Sequence, residues 1–153
     1  MGAARVARWV LPADPARVDQ TFRCYGRLRV AFATAHEWVN RLGEAKRAGR
    51  LDAELERLGR FPLLVVDEVG YIPFDPEAAA LFFALISSRY ERRSMIVSSN
   101  KTFSAWAEIF GDPVAVAAMV DRLVHHAEVI VLKGDSYRLR GKTEEVISGG
   151  KQR

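Results

Sequence analysis

The stretch Leu63-Leu64-Val65-Val66-Asp67-Glu68-Val69-Gly70 decides the reading of this chain. Four consecutive apolar residues describe a strand covered on both faces, and such strands belong to parallel sheets. The run ends in two carboxylates, so the chain lifts Asp67 and Glu68 out at the carboxyl edge of that sheet. Upstream, Val30-Ala31-Phe32-Ala33 is a second short apolar run of strand type. It leads into Thr34-Ala35-His36-Glu37, in which Thr34 caps a helix start and Glu37 reaches back to the freed backbone N–H. Trp38, Val39 and Leu42 then form one helical face. Gly49 interrupts, and Leu51, Leu55 and Leu58 mark a second short helix ended by Gly59.

Downstream, a loop from Gly70 to Phe74 leads to Asp75-Pro76, a natural N-cap followed by a natural first helical residue. Leu81, Phe82, Leu85 and Ile86 are the inner face of that helix. Met95-Ile96-Val97 is another buried strand, ending in polar Ser98-Ser99-Asn100. A helix through Trp106 follows, and Asp112-Pro113 starts a helix running towards His126. Val129-Ile130-Val131-Leu132 reads as a last strand, and Gly134-Asp135 as a turn from which Tyr137 to Leu139 pairs back. Strands alternating with helices imply an α/β fold with an open, mostly parallel sheet. Chemistry in such sheets sits beyond the carboxyl ends of the strands.

The 153 residues suit one domain, and 49% hydrophobic with 27% charged residues excludes a collagen-like, low-complexity or wholly disordered chain. Cys24 stands alone, so no internal disulfide forms, and a reducing, cytoplasmic setting is expected. No apolar run reaches the length of a membrane span, so no membrane partner is expected. The net charge of +4 is uneven. Residues 1–62 hold 12 Lys/Arg against 7 Asp/Glu, whereas residues 63–153 hold 11 against 12. A basic first half attracts nucleic acid, although on charge alone a solvated basic surface is the simpler reading. His36, His125 and His126 have no Cys/His set at metal-ligand spacing around them. Trp38 and Trp106 read as core residues rather than base-stacking platforms.

Asp67 and Glu68 are the strongest chemical candidates. An Asp at such a strand end can hold a hydrated Mg²⁺ that bridges nucleotide phosphates. The adjacent Glu, pointing to the other side, can orient and deprotonate an attacking water. This is the Walker B pattern of P-loop ATPases. Alone it is moderately specific, since an acidic pair at a strand end also serves as a helix cap or a solvated turn. Asn100, at the end of the next strand, can position the attacking water, or can simply form a turn. Arg122 near a helix end can act as an arginine finger, and Arg138 can contact phosphate. Each arginine also reads as an ordinary surface charge.

Several stretches occur together: Asp67-Glu68-Val69-Gly70-Tyr71-Ile72-Pro73, Leu81-Phe82-Phe83, Ser87-Ser88-Arg89-Tyr90-Glu91-Arg92, Ser98-Ser99-Asn100-Lys101, Phe110-Gly111-Asp112-Pro113, Asp121-Arg122-Leu123 and Ser136-Tyr137-Arg138-Leu139. In this order they resemble the IstB-like ATPases, transposition helpers of insertion sequences related to the DnaC-type helicase loaders within the AAA+ class. The resemblance runs from about Val30 to Lys142. It implies a P-loop NTPase fold of three layers, with ATP and Mg²⁺ as cofactors. It also implies that Asp67 is the Mg²⁺-associated acid (through water) and Glu68 the catalytic base. Asn100 is then the sensor, Arg122 the finger acting in trans, and Arg138 a second phosphate-sensing arginine. The implied partners are double-stranded DNA, a transposase, and further copies of the chain or an intact homologue.

One part of the pattern is not in the sequence. Such an ATPase cradles phosphate in a G-x-x-x-x-G-K-[ST] loop after its first strand, upstream of the strand at Val30. Gly2 and Gly26 are the only glycines before Val30. Gly141-Lys142-Thr143 has Ser136 where the first glycine belongs and follows a hairpin, so it is rejected. The expected organisation is therefore a leader over residues 1–29 that fits no pattern, an incomplete ATPase core over 30–142 lacking the first strand, and a polar tail over 143–153. A truncated or misframed reading frame would account for it. In its absence, Met95–Val97 and Val129–Leu132 lose a shared neighbour, and Val129–Leu132 either closes the gap or leaves strand edges exposed. Two further roles fit the same residues: a helicase loader of the DnaC type, and a non-enzymatic fragment that inserts Arg122 into a homologue's ATP site. DNA binding through the arginines of residues 1–60 is a third.

Overall fold

The computed structural model describes residues 21–24, 28–125 and 127–132. Its frame is a four-stranded sheet in the order β1 (Thr21–Cys24), β2 (Leu28–Thr34), β3 (Leu63–Val69), β4 (Ser94–Ser99). β2, β3 and β4 run parallel, with Val30, Leu63 and Ser94 level at their amino ends. β1 pairs antiparallel with β2, from Thr21 opposite Ala31 to Cys24 opposite Leu28. Regular pairing therefore starts within residues 21–29, where the sequence shows no sustained period.

The helices follow the local signals closely. Thr34 accepts from the Glu37 amide while Glu37 Oε2 accepts from the Thr34 amide at 2.7 Å, which opens α1 (Ala35–Arg47). α2 spans Leu51–Gly59. Asp75 caps α3 (Pro76–Arg89), and Asp112 caps α5 (Pro113–Val124), each with Pro at the first position. Between them the helix at Trp106 is short: a 3₁₀ turn, Phe103–Ala105, and then α4 (Trp106–Phe110).

The core lies on one face of the sheet. Ala31, Ala33, Leu64 and Val66 alternate inward along β2 and β3 and meet Trp38, Leu42, Phe82 and Leu85 from α1 and α3. Both tryptophans are core residues, as expected, and the Trp38 indole also donates to the Val65 carbonyl at 3.0 Å. Phe74, Phe82 and Phe110 pack as a trio with centroids 5.2–5.8 Å apart, Phe82 stacked on both of the others. Aromatic contacts of this kind add about 0.5–1.5 kcal/mol each beyond area burial.

The opposite face corrects one expectation. Four successive apolar residues predict a β3 buried on both sides, yet Leu63 and Val65 are half-buried, and Ile96, level with Val65, is 41% exposed. A second correction concerns Val129–Leu132. This segment forms no ladder: Leu132 makes an isolated bridge, and all four side chains are exposed. Among the described residues no strand pairs with the outer edge of β4. A cleft of about 370 Å³ separates that edge from residues 127–131, lined by Ile96, Trp106, Val124 and Val129. Among the described residues the exposed-edge alternative is the one observed. Tyr137–Leu139 lies outside the described residues.

At the amino end of the strands, Arg89 is buried at 2% exposure. Its guanidinium donates to the carbonyls of Leu58 (2.9 Å), Phe61 (3.0 Å) and Ser94 (2.7 Å), tying α2, the bend before β3, and β4 to the end of α3. Burial, with the neighbouring Arg93 charge, pulls its pKa down to about 10, so it remains charged at neutral pH.

Candidate functional site

β3 does not stop at Val66. It continues through Asp67 and Glu68 to Val69, and the β3–β4 register breaks between Val66 and Val69. Val66 faces Val97, but Val69 faces Ser99, so β3 carries one extra residue over this interval. A bulge of this type re-aims side chains at a sheet edge. Glu68 absorbs the distortion with φ of +61°, a left-handed conformation rare for a residue with a Cβ and costing about 1–3 kcal/mol. Its amide is held in place by Asp67 Oδ1 and Ser98 Oγ, both at 3.0 Å. The Ser98 hydroxyl in turn donates to Asp67 Oδ1. Asp67, half-buried, is thus fixed by the neighbouring strand, while Glu68 is left exposed.

Ser99 ties the next turn down. Its hydroxyl donates to the Val69 carbonyl at 2.8 Å and accepts from the Lys101 amide at 3.1 Å and the Trp106 indole at 3.3 Å. Asn100 then lies against Gly70. Its Oδ1 is buried with no hydrogen-bond partner, 2.8 Å from where a Cβ on residue 70 would stand. Gly70 has φ of +101°, so both its backbone and its close neighbour require glycine.

The sheet therefore gathers Asp67, Glu68 and Asn100 at one edge. Sequence reasoning did not single out the bridging role of Ser98; its signal was the polar run that ends β4. Arg122 sits elsewhere. Its guanidinium lies 4.9 Å above the Phe83 ring and donates to the Ala118 carbonyl at 2.9 Å, one turn back on α5. It borders a recess of about 590 Å³ together with Tyr90 and Glu128. Arg138 falls outside the described residues.

The donor set suits a hydrated Mg²⁺ in its chemistry. One fixed carboxylate at a strand end, with a hydroxyl beside it, matches an ion that keeps most of its waters and is completed by phosphate. Among the described residues no group of three or more His, Cys, Asp or Glu could hold a metal by itself. No helix among them is long and apolar enough to cross a membrane.

Comparisons with known proteins agree on the lineage. The chain is 43% identical over 114 residues to a protein of Bacillus thuringiensis subsp. berliner named as the ATP-binding protein of insertion sequence IS232, a match that covers 74% of this chain and 46% of the relative. It is 46% identical over 111 residues to the IS5376 counterpart of Geobacillus stearothermophilus, covering 72% and 44%. The IS21 counterpart of Pseudomonas aeruginosa is 44% identical over 114 residues, covering 74% and 43%. The chain thus spans less than half the length of these relatives. Among solved structures, AMPPCP-bound DnaA from Aquifex aeolicus superposes with a TM-score of 0.54 at 15% identity, over 83% of this chain and 39% of that one. DnaA bound to AMPPCP and single-stranded DNA gives 0.55 at 14%. At such identities these two show shared fold alone, that of an AAA+ P-loop NTPase. Residues 20–145 match the family described as IstB-like ATP binding protein, and the chain belongs to that family.

Proposed function

We propose that this chain is the part of an insertion-sequence helper ATPase that bears its acid, base, sensor and finger. The observation that carries the reading is the locked edge of β3, where Ser98 holds Asp67 and a left-handed Glu68 projects its carboxylate free. Asp67 would hold Mg²⁺ through water, and Glu68 would take the proton of the attacking water. Asn100 is assigned as sensor, Arg122 as a finger for a neighbouring subunit, and Arg138 as a second phosphate contact. Bound Mg²⁺–ATP would supply the phosphoryl group and its charge compensation. Its phosphate loop is not among these 153 residues, whose sequence has no G-x-x-x-x-G-K-[ST]. The whole protein would act in the cytoplasm, assembling on double-stranded DNA with a transposase. The DnaC-type loader role ranks behind, because the relatives at 43–46% identity carry insertion-sequence names.

The test is a chimera in which the amino-terminal part of the IS232 relative precedes Thr21. Mg²⁺-dependent ATP hydrolysis is expected, with Glu68→Gln abolishing turnover and retaining ATP binding. An inactive chimera that is folded and binds ATP, or a Glu68→Gln variant with normal turnover, refutes the assignment. The fragment reading has its own test: adding the 153-residue chain to a full-length homologue should change ATP turnover, and Arg122→Ala should remove the change.

A further inference from the structure

The amino end of the sheet carries a second feature that the nucleotide site does not use. Four consecutive carbonyls, Leu58 to Phe61, leave the end of α2, and three arginines take them. Arg89 holds Leu58 and Phe61, Arg93 holds Gly59 at 3.3 Å, and Arg29 holds Arg60 at 3.3 Å. The guanidinium groups of Arg29 and Arg57 each lie 5.7 Å from the centroid of the Phe61 ring. Carbonyl partners satisfy N–H groups but cancel no charge. Fixing an arginine on a carbonyl or an aromatic face also removes rotamer freedom before any ligand arrives.

Two recesses of about 740 and 450 Å³ open on this end, and Arg60, Arg92 and Arg93 line both. Arg60 and Arg92 are exposed, and no hydrogen bond or ion pair engages their guanidinium groups among the described residues. The acidic groups facing the cluster are fewer. Asp52 and Glu56 line the larger recess, Glu91 precedes Arg92, and Glu54 is taken by Arg41 and Arg57. Glu128 lines a neighbouring recess with Arg89, Arg92 and Arg93, so six arginines stand against five carboxylates.

We infer that this arginine-rich end of the sheet binds the phosphodiester backbone of duplex DNA. The inference takes its partner from the proposed function but does not depend on the nucleotide chemistry. Guanidinium forks match phosphate oxygens in pairs, and the exposed forks of Arg60 and Arg92, set among arginines fixed on carbonyls, suit the backbone without reading bases. The four residue steps from Leu63 to Asp67, at about 3.3 Å each, put Asp67 roughly 13 Å beyond the amino end of β3, so this surface and the nucleotide site lie at opposite ends of the strand.

The experiment is fluorescence anisotropy of the 153-residue chain with a labelled 30-base-pair duplex, titrated in salt. Arg60→Gln and Arg92→Gln together should weaken binding about 10-fold at 100 mM salt. They should also lower the slope of log K against log salt by nearly 2, about 0.9 for each phosphate no longer neutralised. Lys101→Gln, which removes a charge beyond the opposite end of β4, should change affinity less than about 2-fold. The inference is overturned if the wild-type chain does not bind duplex, or if the arginine pair behaves as the lysine control. Poly-L-glutamate bound as tightly as duplex at equal ionic strength would also overturn it, in favour of an acidic protein partner. None of these results bears on ATP hydrolysis by the chimera, so the two proposals fail separately.

Discussion

Gly70→Ala probes the joint between the two candidate catalytic strands. A Cβ at residue 70 would stand 2.8 Å from Asn100 Oδ1, 2.9 Å from Lys101 Cγ and 3.0 Å from Ile109 Cδ1. Two costs follow. Holding alanine at φ of +101° takes about 1–3 kcal/mol. Overpacking against Asn100 and Ile109 takes about 1–3 kcal/mol more. Gly49 separates the two, because it also has a positive φ, +66°, but nothing lies within 4 Å of a Cβ there. Gly49→Ala therefore carries the backbone cost alone, about 1–2 kcal/mol. Urea unfolding followed by circular dichroism measures both. With a slope of about 1.5 kcal/mol per molar urea, Gly49→Ala should lower the midpoint by about 1 M. Gly70→Ala, at about 2–6 kcal/mol, should lower it by about 1.5–4 M. Equal midpoint shifts for the two variants would refute the claim that residue 70 is packed against Asn100. The same substitution in the chimera should reduce ATP turnover, since Asn100 is what it displaces.

Other predictions address separate features. Thr34→Ala removes one half of the capping box and should cost about 1 kcal/mol in the same urea assay. Arg89→Met keeps side-chain bulk but leaves three carbonyls without their donor, so a loss of about 2–4 kcal/mol is expected; a change under about 0.5 kcal/mol would show that the clamp is dispensable. Burial works to raise the Glu54 pKa, but hydrogen bonds from Arg57 and Arg41 prevail and hold it below the usual carboxylate value. A lowered folded pKa means the ion pairs stabilise above the unfolded pKa, and that stabilisation is lost as pH falls through the folded value. Glu54→Gln should therefore cost roughly 0.5–1 kcal/mol at pH 7 and progressively less as the pH is lowered below the usual carboxylate range, by thermal melting. The 153-residue chain by itself should bind ATP weakly in calorimetry; tight binding lost in Asp67→Ala would show that phosphate is cradled by residues not yet identified.

Local chemistry made much of the fold legible. Thr34 with Glu37, Asp75 with Pro76 and Asp112 with Pro113 each open a helix through contacts within four residues, so the sequence displays them directly. The same holds for the inner face of α3, where Leu81, Phe82, Leu85 and Ile86 are all buried. Val129–Leu132 shows the limit. Its composition suits a strand, but a strand needs a partner edge, and pairing is a property of what lies alongside. Arg89 misleads in the other direction: an arginine reads as surface, yet carbonyls from α2, from the bend before β3 and from β4 converge on it and bury it.

The candidate site divides along the same line. Residue order along single strands is enough to put Asp67 and Glu68 at the end of one apolar strand and Asn100 at the end of the next. How those ends are held depends on the packing of one strand against another. The bulge between Val66 and Val69, the left-handed Glu68 and the Ser98 hydroxyl on Asp67 all arise where β3 meets β4. The same is true of the arginine cluster. Its members are scattered from Arg29 to Arg93 in the chain, and they form one surface because α2, β2 and α3 bring them to the same end of the sheet.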